Sequence, residues 1–136
     1  MGAQAKRSIF CCACARDVDA QLTNGAECYP HRPDLAGLPF WRCDTCRNFV
    51  GCHHKTKNRT KPLGVIADRA MKDARVHLHK RIDPLWQRKR ITRREIYGRL
   101  SAVLGREYHT AELRTLDEAR NVYRAIVAIE RGLDQA

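Results

Sequence analysis

Residues 43–54 read CDTCRNFVGCHH, and an earlier stretch at residues 11–14 reads CCAC. Each stretch contains a Cys-x-x-Cys pair, Cys11 with Cys14 and Cys43 with Cys46. Two residues between the cysteines let one tight turn, here called a knuckle, aim both sulfurs at the same point, and two facing knuckles form a closed tetrahedral site. The spacing therefore predicts one structural Zn²⁺ bound by these four cysteines.

Other uses of the cysteines and histidines stay open at this stage. A thioredoxin-like redox motif requires a βαβ setting that the sequence does not indicate, whereas four thiolates could also hold an iron–sulfur cluster. Cys12 lies next to the first ligand and could replace it by a register slip. Cys28 and Cys52 are expected to be small buried residues on strands. His53 and His54 are either ligands of a second or variant site or part of a basic surface.

The residues around both pairs indicate β-strands. Residues 8–29 are predicted to form strand, knuckle, strand, turn and strand, with Asn24-Gly25 as a type I′ hairpin turn, because such a turn needs two positive φ angles. Residues 30–39 contain three prolines and are predicted to form an irregular loop. The strand–knuckle–strand pattern returns at 40–53. A strand at 48–50 favours a zinc ribbon over a treble clef, in which a helix would follow the second pair.

The apolar residues change from a period of two to the helical period of 3.6 at Leu63. A first helix is predicted to begin there and to end at Asp83-Pro84. Two capping boxes, Thr92 to Glu95 and Thr115 to Glu118, predict the starts of a second and a third helix. These two helices are predicted to end at glycines, Gly105 and Gly132.

The chain is therefore predicted to be α+β, with a zinc-ribbon-like four-cysteine β-hairpin module followed by about three α-helices. We assign residues 1–62 to the module and its basic linker, and residues 63–136 to a helical region packed on or next to it. A β-module of ~50 residues buries too small a core to fold without a staple, so the metal is expected to supply the folding free energy.

The sequence also predicts where the protein resides. No apolar run approaches the ~18 residues that a membrane span needs, and the first residues lack the apolar segment of a secretory signal. We therefore expect no membrane association and a reducing cytoplasm, where paired cysteines bind metals more often than they form structural disulfides.

The net charge of +11 is concentrated in the middle of the chain. Residues 54–106 contain 16 Lys/Arg against 4 Asp/Glu, whereas residues 1–53 and 107–136 are close to neutral. A basic patch of this kind indicates a polyanionic partner. Phosphate contacts are predicted for two clusters: Lys55, Lys57, Arg59 and Lys61, and then Arg88, Lys89, Arg90, Arg93 and Arg94. The second cluster also precedes a helix N-terminus, which favours phosphate binding.

Five motifs together resemble a known family, the zinc-finger-containing domain family of phage and prophage proteins. They are YPHRPDL (29–35), FWRCDTC (40–46), VGCH (50–53), KPLG (61–64) and HKRIDPLW (79–86), and the resemblance covers about residues 9 to 90. Members usually open with Cys-Pro-x-Cys, where this chain has Cys11-Cys-Ala-Cys14. The resemblance implies a zinc ribbon and a mobile-element origin, and hence the cytoplasm of a bacterial host cell; it implies no particular reaction.

The leading functional hypothesis is a non-enzymatic protein that binds nucleic acid, DNA more than RNA, through the basic segment. The alternative is a protein–protein adaptor or an inhibitor of a host enzyme. The surface for such a host protein would be the apolar face of the third helix: Val122, Tyr123, Ile126 and Ile129.

A small nuclease is the third hypothesis, and it would use His31, His53 or His54 with Asp34. These residues match no metal-nuclease spacing. A site closed by four cysteines also leaves no open coordination position for a water molecule.

Overall fold

The computed structural model describes residues 5–135. Four antiparallel strands are followed by three long helices, so the predicted α+β class is confirmed. The strands are β1 (Lys6–Cys11), β2 (Arg16–Asn24), β3 (Pro39–Arg42) and β4 (Phe49–Gly51). The helices are the one-turn α1 (Gly25–Cys28) and the longer α2 (Arg69–Gln87), α3 (Arg93–Leu104) and α4 (Leu116–Asp134).

The four strands form one sheet in the order β1-β2-β3-β4, and a cysteine knuckle is the turn of two of its hairpins. The β1–β2 ladder closes at the pair Cys11 and Arg16, and the β3–β4 ladder closes at Arg42 and Phe49. Both predicted strand–knuckle–strand segments are confirmed. The sequence order of the strands thus brings the two knuckles to the same end of the sheet.

The predicted type I′ turn at Asn24-Gly25, and the strand after it, are wrong. Asn24 ends β2 and caps α1, because its side chain accepts a hydrogen bond from the Glu27 N–H at 3.1 Å. Gly25 is needed for a close approach rather than for a positive φ, since a Cβ there would lie 1.8 Å from the Leu35 carbonyl oxygen. An asparagine that caps a helix, followed by a glycine in close contact with another segment, gives the same Asn-Gly dipeptide as a type I′ hairpin turn. The sequence alone therefore does not distinguish the two structures.

The chain divides into two compact units, one up to Asp68 and one from Arg69 onward. This division falls six residues after the boundary expected from the sequence. The first unit has its own buried core, formed mainly by residues of the sheet. Its members are Ile9, Cys11, Val18, Ala20, Trp41, Cys43, Val50, Cys52 and Ile66.

The helix that was predicted to start at Leu63 begins at Arg69 instead. Ile66 pairs in parallel with Cys11: its N–H donates to the Phe10 carbonyl, and its carbonyl accepts from the Cys12 N–H, both at 2.8 Å. Tertiary pairing with β1 therefore overrides the helical spacing of this segment. The helical spacing of apolar residues that begins at Leu63 continues across the boundary between the two units, so this spacing does not reveal where the helix starts.

Helix α2 also runs past its predicted end at Asp83-Pro84. It continues to Gln87, and Pro84 lies inside it. Pro84 has no N–H to donate, but the next residue, Leu85, is buried and continues the apolar face. The helix ends at Gln87, after which Lys89 has a φ of 58°. The N–H groups of Lys89 and Arg90 return to the carbonyls of Trp86 and Leu85, as in a Schellman motif.

The starts of α3 and α4 agree with their predicted capping residues. The Thr92 hydroxyl accepts from the Glu95 N–H at 3.0 Å, and the Thr115 hydroxyl accepts from the Glu118 N–H at 3.1 Å. Helix α3 ends before Gly105 as predicted, and this glycine is in the left-handed conformation. Helix α4 passes its predicted stop at the second glycine and ends at Asp134.

The apolar face of α4 packs inside the helical unit. Val122, Ile126 and Ile129 are buried, and α4 contacts both α2 and α3. Tyr123 stacks on His77 with ring centroids 5.3 Å apart. Three of the four residues predicted to meet a host protein are therefore packed within the helical unit, and an internal neighbour explains a strongly amphipathic helix as well as a partner does.

None of the helices described between residues 5 and 135 combines the length and the apolar composition that a membrane span requires.

Glu118 gives the helical unit a pH-dependent contribution to stability. The hydrogen bond from Arg106 lowers the pKa of Glu118, which also accepts from the Arg114 N–H at 2.8 Å. A carboxyl group with a lowered pKa stabilises the fold at neutral pH, and this contribution disappears as the pH falls through the lowered value.

We expect Glu118→Gln to reduce the free energy of unfolding by about 1 kcal/mol at pH 7 and to have almost no effect at an acidic pH below the lowered pKa of Glu118. Urea unfolding of the full chain, followed by helical circular dichroism at both pH values, measures this. Glu107→Gln is the matched control, because that side chain is 82% exposed. An equal loss at both pH values would contradict the assignment.

Candidate metal centre and basic surface

The sulfur atoms of Cys11, Cys14, Cys43 and Cys46 all lie within 4.8 Å of one another. The Sγ atoms of Cys11 and Cys46 are 3.4 Å apart, and those of Cys14 and Cys43 are 3.8 Å apart. Four sulfurs at the usual zinc distance of about 2.3 Å occupy tetrahedral corners about 3.8 Å apart. The cluster therefore has the size and the ligand type of a four-cysteine zinc site.

The two knuckles share one backbone feature. The residue directly after the second cysteine of each pair has a positive φ, 56° at Ala15 and 67° at Arg47. A non-glycine residue in the left-handed region costs about 1 kcal/mol. The cost occurs at the same position of both knuckles, and a ligand set that fixes each turn is its natural explanation.

Hydrogen bonds orient the second knuckle toward the centre. The N–H groups of Thr45 and Cys46 point to the Cys43 sulfur at 3.4 and 3.5 Å. The Asn48 side-chain amide donates to the Cys46 sulfur at 3.2 Å. Donors to sulfur favour the thiolate form, which is the form that binds a metal.

The thiols have very different tendencies to ionise in the absence of a bound cation. Burial raises the pKa of Cys11 far above its usual value and also raises that of Cys14. At Cys46 burial acts in the same direction, but hydrogen bonds from Asn48 and the neighbouring thiols outweigh it and lower the pKa to about 7. A divalent cation at the centre allows all four groups to be thiolates, so binding releases protons.

The structure decides between Cys11 and Cys12. Cys11 is fully buried within the cluster, whereas Cys12 lies outside it and its N–H donates to Ile66. Cys52 is buried as predicted, but Cys28 is only partly buried and lies on α1 rather than on a strand.

In the part of the chain between Ala5 and Gln135, the four cysteines are the group of His, Cys, Asp and Glu side chains placed to hold a metal. The histidines considered for a second site or a nuclease do not join such a group. Asp34 is paired with Arg32 at 2.7 Å, and the His54 ring lies 3.3 Å from the Cys52 carbonyl.

The fold and the centre together define the class of protein. Two β-hairpins present their knuckles to one closed, four-thiolate site, which is the arrangement of a structural zinc finger. The predicted cofactor, one structural Zn²⁺, fits these residues. A family model described as a zinc-finger-containing domain matches residues 7–131, and the chain belongs to this family. No curated protein and no solved structure matches the chain.

All nine predicted phosphate-contact residues are exposed. The first cluster lies in a loop of the first unit, and the second lies between α2 and α3 and in the first turn of α3. Two members of the second cluster have partners: Arg90 pairs with Asp134 at 2.5 Å, and the Arg93 guanidinium lies 4.3 Å from the centre of the Tyr97 ring.

The sequence reasoning missed one cation beside the first cluster. Arg7 on β1 lines a surface cavity together with residues 57–61. It lies about fifty residues earlier in the chain than this loop, so no local pattern could connect the two.

Replacing adjacent cysteines tests the ligand set. We expect Cys11→Ser to remove the bound zinc and to unfold the first unit, because metal binding contributes on the order of 10 kcal/mol to folding in modules of this kind. Cys12→Ser is the matched control and should retain one zinc per chain. Elemental analysis, together with the amide NMR spectrum of residues 5–68, measures both. A folded, zinc-loaded Cys11→Ser protein would overturn the assignment.

Proposed function

We propose that this zinc-finger protein binds nucleic acid, DNA more than RNA, with the zinc-stapled sheet as a rigid support and the basic clusters as phosphate contacts. The observation that carries the proposal is the charge balance: residues 54–106 have 16 Lys/Arg against 4 Asp/Glu, and all nine residues of the two clusters are exposed. In line with the resemblance to phage and prophage proteins, the proposed setting is a mobile element in the cytoplasm of a bacterial host.

The local environment of the clusters supports this proposal. Of the nine cations, only Arg90 forms an ion pair with another residue in the described region. Exposed and unneutralised cations are available to replace the counterions condensed on a polyanion. Six such contacts are enough for binding that depends steeply on salt concentration, without any reading of base sequence.

The salt dependence of binding is the first test. We expect labelled duplex DNA to bind at 50 mM salt and to lose at least a hundredfold in affinity by 200 mM, with a shallower dependence for single strands. Fluorescence polarisation with duplex DNA, single-stranded DNA and RNA of equal length measures this. Absence of binding at low salt would remove the proposal.

A charge-matched pair of variants locates the contact. We expect Arg88→Gln/Arg94→Gln to weaken binding about tenfold, because each replaced cation removes a phosphate contact. Arg124→Gln/Arg131→Gln removes the same charge from exposed positions on α4, outside the basic middle segment, and should have little effect. Equal losses in both variants would mean that net charge alone governs binding.

The adaptor or inhibitor hypothesis is distinguished by the same preparation. Three residues of its proposed surface on α4, Val122, Ile126 and Ile129, are buried, which leaves the half-buried Tyr123 as the accessible part of that surface. A stoichiometric host protein that survives nuclease treatment, in a preparation that does not bind nucleic acid, would replace the present proposal by that one.

A further inference from the structure

The surface of the first unit contains a cavity of about 410 Å³ whose lining is strongly basic. Arg7 lies on one side, and residues 57–61 of a single loop form the rest. Four of the six lining residues are Arg or Lys, the other two are Asn58 and Thr60, and no carboxylate belongs to the lining.

The loop that forms this cavity is closed at its base and tied to the sheet. Its two ends pair with each other directly after β4: Cys52 bridges Pro62, and the His53 N–H donates to the Lys61 carbonyl at 2.8 Å. Beside the second of these ends, the buried Trp41 indole of β3 donates to the Thr60 carbonyl at 2.6 Å.

Turns within the loop complete its hydrogen bonding. The Thr56 hydroxyl donates to the His53 carbonyl and accepts from the Asn58 N–H, and the Lys61 N–H donates to the Asn58 carbonyl. Backbone groups that are already paired hold the loop in one shape, so the cavity is formed before a ligand arrives.

Arg7 reaches this cavity because of its position in the sheet. It lies on β1, which is an edge strand of the sheet. Its neighbour Lys6 points to the opposite face, because side chains alternate along a strand. Lys55 belongs to the same loop but does not line the cavity. Structure thus separates cations that the sequence places side by side.

The charges that line the cavity favour the binding of an anion. Arg7, Lys57, Arg59 and Lys61 form no ion pair within residues 5–135, whereas Arg42, Arg81 and Arg106 elsewhere in the protein each pair with a glutamate. Like charges that face a common space repel one another, and an anion bound among them removes this repulsion. The neutral Asn58 and Thr60 side chains offer additional hydrogen-bond donors.

We propose that this cavity binds a phosphate group of the nucleic acid, with Arg7 as an additional phosphate ligand opposite the loop. The inference rests on the proposed function and deepens it: one phosphate is held at a defined site, and the other contacts follow the backbone loosely. The phosphate is either an internal phosphodiester or a 5′-terminal phosphate, since both present the same anionic oxygens to Arg and Lys.

Two charge-matched double variants test the site. Arg7→Gln/Lys57→Gln removes a cation from each side of the cavity, and Lys6→Gln/Arg124→Gln removes two exposed cations that lie outside the cavity and outside both basic clusters. Both use exposed side chains, and zinc content together with the amide NMR spectrum verifies that the first unit is folded. Arg59→Gln/Lys61→Gln is a second cavity variant, to be used if the first does not fold.

We expect the cavity variant to bind a labelled 5′-hydroxyl DNA duplex at least tenfold more weakly than the natural chain, with a shallower salt dependence. The control variant should lose less than about threefold. Equal losses in the two variants, or no loss in the cavity variants, would overturn the site.

The source of the phosphate is read from a second probe. A 5′-phosphorylated duplex that binds tighter than the 5′-hydroxyl duplex, with a preference that the cavity variant abolishes, assigns the site to terminal phosphate. Equal binding of the two duplexes, weakened equally by the cavity variant, assigns it to an internal phosphodiester. Either result supports the site.

The site and the function can fail separately. If Arg88→Gln/Arg94→Gln weakens binding while the cavity variants do not, the protein binds nucleic acid without this site. If the natural chain does not bind at low salt, both proposals are removed.

Discussion

Four cysteine sulfurs within 4.8 Å of one another are the constraint on which the first unit depends. Burial raises the pKa of the Cys11 and Cys14 thiols, so a shared cation is the means by which all four groups can be thiolates. The same cation closes both hairpins at one end of the sheet and fixes their relative position. A β-unit of this size, with a core of about nine buried residues, gains from the metal the stability that burial alone does not provide.

The rigidity that originates at the metal extends to the surface where charge is displayed. Cys43 is buried in the same core as Trp41, and the indole of Trp41 holds the loop that carries Lys57, Arg59 and Lys61. The zinc-binding cysteines are thus connected through the sheet to this loop. The zinc therefore has a role beyond folding, because the sheet that it stabilises holds the cations of the loop at a fixed spacing. A flexible basic linker of the same composition would bind a polyanion, but it would have no preformed binding site for a phosphate.

The sequence was most informative where local chemistry is sufficient and least informative where distant segments meet. The Cys-x-x-Cys spacing led to the four clustered sulfurs, and Thr92 and Thr115 marked true helix starts, because a knuckle or a cap is decided by a few adjacent residues. The helix start at Leu63 was misplaced because Ile66 pairs with β1, and the role of Gly25 was misread because Leu35 crosses it. Arg7 was missed for the same reason: tertiary packing, not spacing, brings it to the loop.

X-ray absorption at the zinc edge of the purified protein tests the central claim most directly. The account predicts one zinc per chain with four sulfur neighbours at about 2.3 Å and no nitrogen or oxygen ligand. A first shell that contains a histidine nitrogen or a water oxygen, or a preparation in which iron takes the place of zinc, would contradict a closed four-cysteine zinc centre and the fold that is built on it.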